Sequence, residues 1–162
     1  MPHLAGNRNA RYTEPMATVQ TTHRILTLLL RLGGGSMVFA LIFVVAPESW
    51  MVTIHAALDL GPLPTAPIVG YLARSTSAFY AMFGGLFLLT SFNLLQHRTV
   101  LIYLGWATTI FGVALLGIDW FEGLPLSWTL SEGPFVIAFG LAVLGLSKRL
   151  ADTQPEASDA PE

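Results

Sequence analysis

The sequence predicts an all-α membrane protein, a bundle of four transmembrane helices with a short interfacial amphipathic helix in its first outer loop. Three observations carry this. The 162 residues are 53% hydrophobic and only 11% charged, where a soluble chain carries about 25% charged residues. The apolar residues fall in four long blocks rather than in stripes, each near the length that crosses about 30 Å of hydrocarbon. Lys and Arg gather on one side of those blocks, the bias that orients a multi-pass chain.

Residues 1–23 are polar, with Arg8, Arg11 and Glu14, and read as a flexible cytoplasmic tail; the transmembrane domain is expected over 24–149. The first apolar block, 25–46, contains Arg31 and the run Gly33-Gly34-Gly35. A span starting after Arg31 would reach only about 22 Å at 1.5 Å per residue, so Arg31 belongs to the span and snorkels towards its nearer end. Val44-Val45-Ala46 also fits a loose cleavage pattern, but the block and its leading tail are long and Pro47 would follow the cut, so the block is read as a retained span.

After it, Met51, Ile54, Leu58 and Leu60 form one apolar face opposite His55 and Asp59, which is the pattern of a short helix lying in the interface. Gly61-Pro62-Leu63-Pro64 ends it. The second span is expected over 75–95 and the third over 100–118, with only Gln96-His97-Arg98-Thr99 between them, so the two should form a tight antiparallel hairpin. The fourth starts near Trp128 or Ser131 and stops at Lys148-Arg149. The tail, 150–162, has two prolines and four acidic residues and is expected to be disordered.

Arg8, Arg11, Arg24, Arg98, Lys148 and Arg149 fall on one side, with Arg31 nearby, and Arg74 alone on the other. Both termini are therefore expected in the cytoplasm of a cell with this chain in its inner membrane. Trp50, Trp120 and Trp128 fit an aromatic belt at the outer surface, while Trp106, mid-block, is expected to fill a packing gap.

Helices in lipid meet through small residues and interhelical hydrogen bonds. The second span offers Ser77, Ala81 and Gly85 at four-residue spacing, the third Gly105, Thr108, Thr109 and Gly112, and the fourth Gly133, Gly140 and Gly145. These seams are read as intramolecular packing, or else as a docking face for another protein's helix.

The candidate polar site lies at the outer ends. Glu132 and Asp119 each fall about one turn inside the apolar zone, and an unpaired charge there is costly, so Arg74 is their expected partner. Glu48 and His55 from the first outer loop complete the cluster, which either fixes helix register or forms a small ligand pocket. His55 with Glu48 and Asp59 is a poor metal constellation, and no metal is expected. His55 and His97 lie on opposite sides, which argues against a bis-histidine haem, and no other cofactor is indicated. The chain has no Cys, so thiol relays, iron–sulfur clusters and cysteine zinc sites are excluded. A net charge of -2 offers no basic stripe for nucleic acid. No Gly-x-Ser-x-Gly or His-Glu-x-x-His motif is present, and no catalytic residue is assigned.

The stretch Pro67-Ile68-Val69-Gly70-Tyr71-Leu72-Ala73-Arg74-Ser75-Thr76-Ser77-Ala78-Phe79-Tyr80-Ala81, with the later Glu132-Gly133-Pro134, resembles small bacterial inner-membrane proteins over about residues 25–149. The four-span plan and glycine-rich first helix are broadly similar to the DoxX-like group. That resemblance implies a fold and no reaction; some of that group work beside thiosulfate or quinone chemistry, and the absence of Cys weighs against sulfur relay here. Function is then expected to be that of an accessory or structural bundle working with lipid, a partner membrane protein or further copies of itself. The alternatives are a small-molecule binding or transport protein using the outer cluster, and an enzyme acting on a lipophilic substrate there.

Overall fold

The computed structural model describes residues 10–152, with side chains for 18–150. Six helices follow in order: α1 (Ala10–Phe39), α2 (Ile42–Val45), α3 (Glu48–Ala57), α4 (Pro67–Thr90), α5 (Arg98–Glu122) and α6 (Leu126–Asp152). Among the described residues, four segments are long and apolar enough to span a membrane: Thr18–Val45, which joins α1 and α2, then Pro67–Thr90, Arg98–Glu122 and Leu126–Leu150. The protein is a multi-pass, all-helical membrane bundle, with α3 as a short helix at one end and the start of α1 and end of α6 at the other.

Local chemistry sets the boundaries. The first span tightens where Ala40 and Leu41 donate to Met37 and Val38 at 3.1 and 3.0 Å, in i→i+3 fashion. It stops at Ala46, held extended (φ -59°, ψ 144°) by the following proline. Pro67 opens α4 at its first turn, where its missing N–H costs nothing. Gly123, at φ 68°, closes α5 in a Schellman arrangement: Leu124 N–H donates to Asp119 O at 3.0 Å and Gly123 N–H to Trp120 O at 3.4 Å.

The long helices pack as two pairs. α1 lies along α4 and α5 along α6, while α1 touches α6 and α2 rests on α4. The expected hairpin of the second and third spans is therefore corrected: α4 and α5 leave their short connection without packing closely. The reason is where the glycines face. A Cβ on Gly34 would stand 2.8 Å from Gly84 O, and one on Gly84 only 2.6 Å from Gly34 O, so α1 and α4 cross backbone to backbone. Gly105 lies against the Leu144 backbone and Gly112 against Ile137 and Gly133 O, which joins α5 to α6. Ala81 is buried in its seam and Ser77 half-buried, its hydroxyl returned to Ala73 O at 2.8 Å. Gly85 is not part of the seam, since nothing lies within 4 Å of a Cβ there; Gly84 takes the place expected of it.

Buried Leu26, Leu30, Phe87, Leu94, Leu101, Leu104, Val143 and Leu150 make the core, all in the half of the bundle nearest the termini. Two boundaries move accordingly. Helix α1 begins at Ala10, well inside the expected tail, and Val19 already packs on the core. Leu150 belongs to the core rather than to a tail; the remaining tail residues, 1–9 and 153–162, lie outside the described residues. Arg31 snorkels as expected, its Nε donating to Ser91 Oγ at 3.4 Å and its guanidinium lying over Phe92. Trp106 fills no packing gap: it is 48% exposed, with Lys148 Nζ 5.6 Å from its ring centroid.

Candidate functional site: an aromatic cavity and an acidic mouth

Between the four spans lies a cavity of about 740 Å³, walled almost wholly by apolar side chains from α1, α4, α5 and α6. Six of the ten phenylalanines line it: Phe79, Phe83, Phe87, Phe111, Phe135 and Phe139. On α4 the spacing of four stacks Phe79 on Phe83 (6.0 Å) and turns Phe83 edge-on to Phe87 (5.9 Å). Phe87 then meets Phe139 of α6 edge-on at 5.4 Å, and the Phe139 ring lies on bare Gly33 of α1, where a Cβ would collide with it. The glycine triplet thus does two jobs: Gly34 brings α1 to α4 and Gly33 seats an aromatic wall.

Few polar atoms face this space. The Ser36 hydroxyl is returned to Gly33 O at 2.8 Å. Thr108, by contrast, lines the cavity with a buried Oγ1 that has no hydrogen-bond partner. An orphaned hydroxyl in an apolar wall is a handle for something that enters.

A second space, a cleft of about 960 Å³, opens at the α3 end and is lined by Glu48, His55, Arg74 and Trp128 among others. Thr76 and Tyr80 line both spaces, so the cleft meets the cavity at those two side chains. In the cleft His55 Nδ1 lies 2.8 Å from Gly61 O. A carbonyl can only accept, so Nδ1 carries the proton and a neutral His55 keeps Nε2 as an acceptor.

The expected cluster of Arg74 with the carboxylates does not form. Arg74 Nη1 donates to Val44 O at 2.7 Å and Nη2 to Ala46 O at 3.1 Å. The guanidinium therefore caps the C-terminal carbonyls of the first span, where freed acceptors and the helix dipole both favour a cation. Sequence reasoning gave it a side-chain partner because it weighed charge against charge and overlooked the carbonyls that Pro47 strands.

The carboxylates form a group of their own. Asp119 is 3% exposed, and its Oδ2 is buried without a hydrogen-bond partner. Glu132, half-buried in the second turn of α6, is approached by the Trp128 indole and lies close enough to Asp119 and Tyr80 to interact with both electrostatically. Neither carboxylate is among the residues that line the cavity or the cleft. Glu48 and His55 line the cleft from α3, and among the described residues no three His, Asp or Glu converge as a metal-binding group.

The aromatic cavity was the feature sequence reasoning missed. Its signal was present in Phe79, Phe83 and Phe87, and again in Phe135 and Phe139, each four apart on a face next to small residues. No family model, curated protein or solved structure matches this chain.

Proposed function

We propose that the protein binds a lipophilic small molecule within the bilayer, in the aromatic cavity between its four spans, with the cleft at the α3 end as the polar approach. The observation that carries this reading is the cavity itself. At about 740 Å³ it falls within the roughly 300–1,000 Å³ of small-molecule sites, and it has the usual make-up, an apolar wall with few polar groups. Packing alone does not call for it, since helices in lipid gain by closing on one another.

Native mass spectrometry of the chain extracted in mild detergent from its own membrane tests this. A stoichiometric retained small molecule is expected, and its loss is expected in Ala107→Trp, which fills the cavity from α5. Retention unaffected by that substitution would overturn the reading. A second reading, an accessory bundle for another membrane protein, is favoured by Gly85, Gly117 and Gly145, which have open space where a neighbour's backbone could approach. A stoichiometric second polypeptide in place of a small molecule would establish it.

The orientation belongs to the same proposal. Arg24, Arg98, Lys148 and Arg149 at the termini end, against Arg74 at the α3 end, support cytoplasmic termini in an inner membrane. Because the chain has no Cys, single cysteines at exposed Ser49, Thr99 and Ser127 report directly. Ser49 and Ser127 should label from outside and Thr99 from within, and the reverse pattern would invert the assignment.

A further inference from the structure

We propose that the occupant of the cavity is one membrane phospholipid with a zwitterionic, primary-ammonium head, its acyl chain in the aromatic cavity and its head in the cleft at the α3 end. This rests on the cavity-binding reading above and adds the class of the ligand and the way it lies.

Three features point the same way. First, the cavity has the depth of one leaflet and a side entrance. On α4 its lining runs from Thr76 to Phe87, about 16 Å at 1.5 Å per residue, or half of the roughly 30 Å of hydrocarbon. Phe87 at its floor already belongs to the core that closes the bundle at the termini end. A chain hanging from the leaflet on the α3 side fills such a space, whereas a ligand spanning the bilayer is stopped. Helix contacts run from α4 to α1 to α6 to α5, and α4 and α5 do not pack closely on each other. That leaves the gap between α4 and α5 as the lateral way in, and Phe79 and Phe111, one from each helix, line the cavity while exposed.

Second, the polar cleft continues from the mouth of the cavity, since Thr76 and Tyr80 line both. A polar head is costly to bury in hydrocarbon, so an amphiphile needs polar space at the end of its apolar one. A plain hydrocarbon would use the cavity and leave the cleft, and a compact ion would do the reverse.

Third, the charged groups of the cleft complement a zwitterion. Arg74 and Glu48 both line it, one of each sign. Arg74 spends two of its five N–H donors on Val44 O and Ala46 O, which fixes the fork, and its other donors suit a phosphate. Glu48 opens α3 two residues beyond Ala46, which sets its carboxylate close along the chain to the point where the guanidinium is anchored. His55, seven residues on and so on the same face of α3, also lines the cleft and presents Nε2 as an acceptor. Two acceptors suit an ammonium that still carries protons. A purely anionic head would satisfy Arg74 and leave Glu48 against a like charge.

Phosphatidylethanolamine and phosphatidylglycerol with the same acyl chains test this. The full chain is stripped of lipid in detergent, offered both in equal amounts, and weighed intact by native mass spectrometry. One phosphatidylethanolamine per chain should be retained, favoured about fivefold over phosphatidylglycerol, the scale of one exposed charge pair. Glu48→Gln, at an exposed position, should abolish that preference while both lipids still bind. Glu122→Gln, which lines neither space, should leave it unchanged. Glycerophosphoethanolamine, the same head without chains, should not displace the lipid.

Equal retention of the two lipids by the unaltered chain would overturn the head assignment and leave the cavity reading standing. A preference that survives Glu48→Gln would remove the carboxylate from the head site. Displacement by glycerophosphoethanolamine would overturn the placement of the tail. A retained molecule other than a phospholipid, lost in Ala107→Trp, would sink the lipid assignment alone. Phosphatidylethanolamine that persists in Ala107→Trp would overturn the cavity reading itself. The comparison of the two lipids needs only the unaltered chain, so it decides the question even if a variant fails to fold.

Discussion

At the scale of single residues, Arg74 separates an ion-pair account of the bundle from a backbone-capping one. Its two bonds to Val44 O and Ala46 O tie α4 to the end of the first span. Hydrogen bonds from a charged donor contribute about 1.5–3 kcal/mol each when buried, and Arg74 is only half-buried, so Arg74→Ala should cost about 2 kcal/mol in total. Arg74→Lys should recover part of that, because an ammonium can reach one carbonyl but not span two as a fork. In a thermal-melt double-mutant cycle, Arg74→Ala and Glu132→Gln should be additive within about 0.5 kcal/mol. A larger coupling would mean that the two side chains pair after all. The depth of Asp119 and Glu132 in the apolar zone could be read from the sequence, because it depends only on position along a helix. The partner of Arg74 could not, because backbone acceptors look alike in every sequence until a break such as Ala46-Pro47 exposes them.

At the scale of helices, the glycines explain which spans pair. Four-residue spacing made Ser77, Ala81 and Gly85 look like one stripe, yet a helix turns about 100° per residue. From Ser77, Gly85 has drifted about 80° off the face, while Gly84 is only about 20° off it. The structure accordingly puts Gly84 on Gly34 and leaves Gly85 open. Gly84→Val should therefore part α1 from α4, at about 3 kcal/mol or more given backbone rather than flexible side chain in the way. Gly85→Val should be close to neutral. The same arithmetic places Asp119 deep: Gly105, Gly112 and Asp119 are seven apart, so Asp119 rides on the face that meets α6. Element existence and order were legible because span length and hydropathy are properties of one helix. The pairing of α1 with α4 and α5 with α6 was not, since a short connection such as 91–97 constrains where two helices start but not which faces they share.

At the scale of the molecule, stability and binding occupy different depths. The core of Leu26, Leu30, Leu101, Leu104 and Val143 closes the bundle at the termini end, and the aromatic cavity lies beyond it towards α3. The two helix pairs are thus held together at one end and kept apart in the middle by rings that touch at their edges. Substitutions should sort by depth. Leu104→Ala, at a fully buried site, removes dispersion contacts that nothing replaces and should lower stability by about 2–4 kcal/mol. Ala107→Trp, three residues further along α5, turns into empty space and should leave the melting temperature unchanged or raise it. The same substitution should abolish retention of the small molecule. Measured together by thermal melts and native mass spectrometry, the two variants give opposite signatures if the cavity is a binding site: one chain unstable but able to bind below its melting point, the other stable but empty. A cavity that is only a packing defect would yield a stabilised Ala107→Trp with nothing lost, because no ligand had been holding the pairs at that distance.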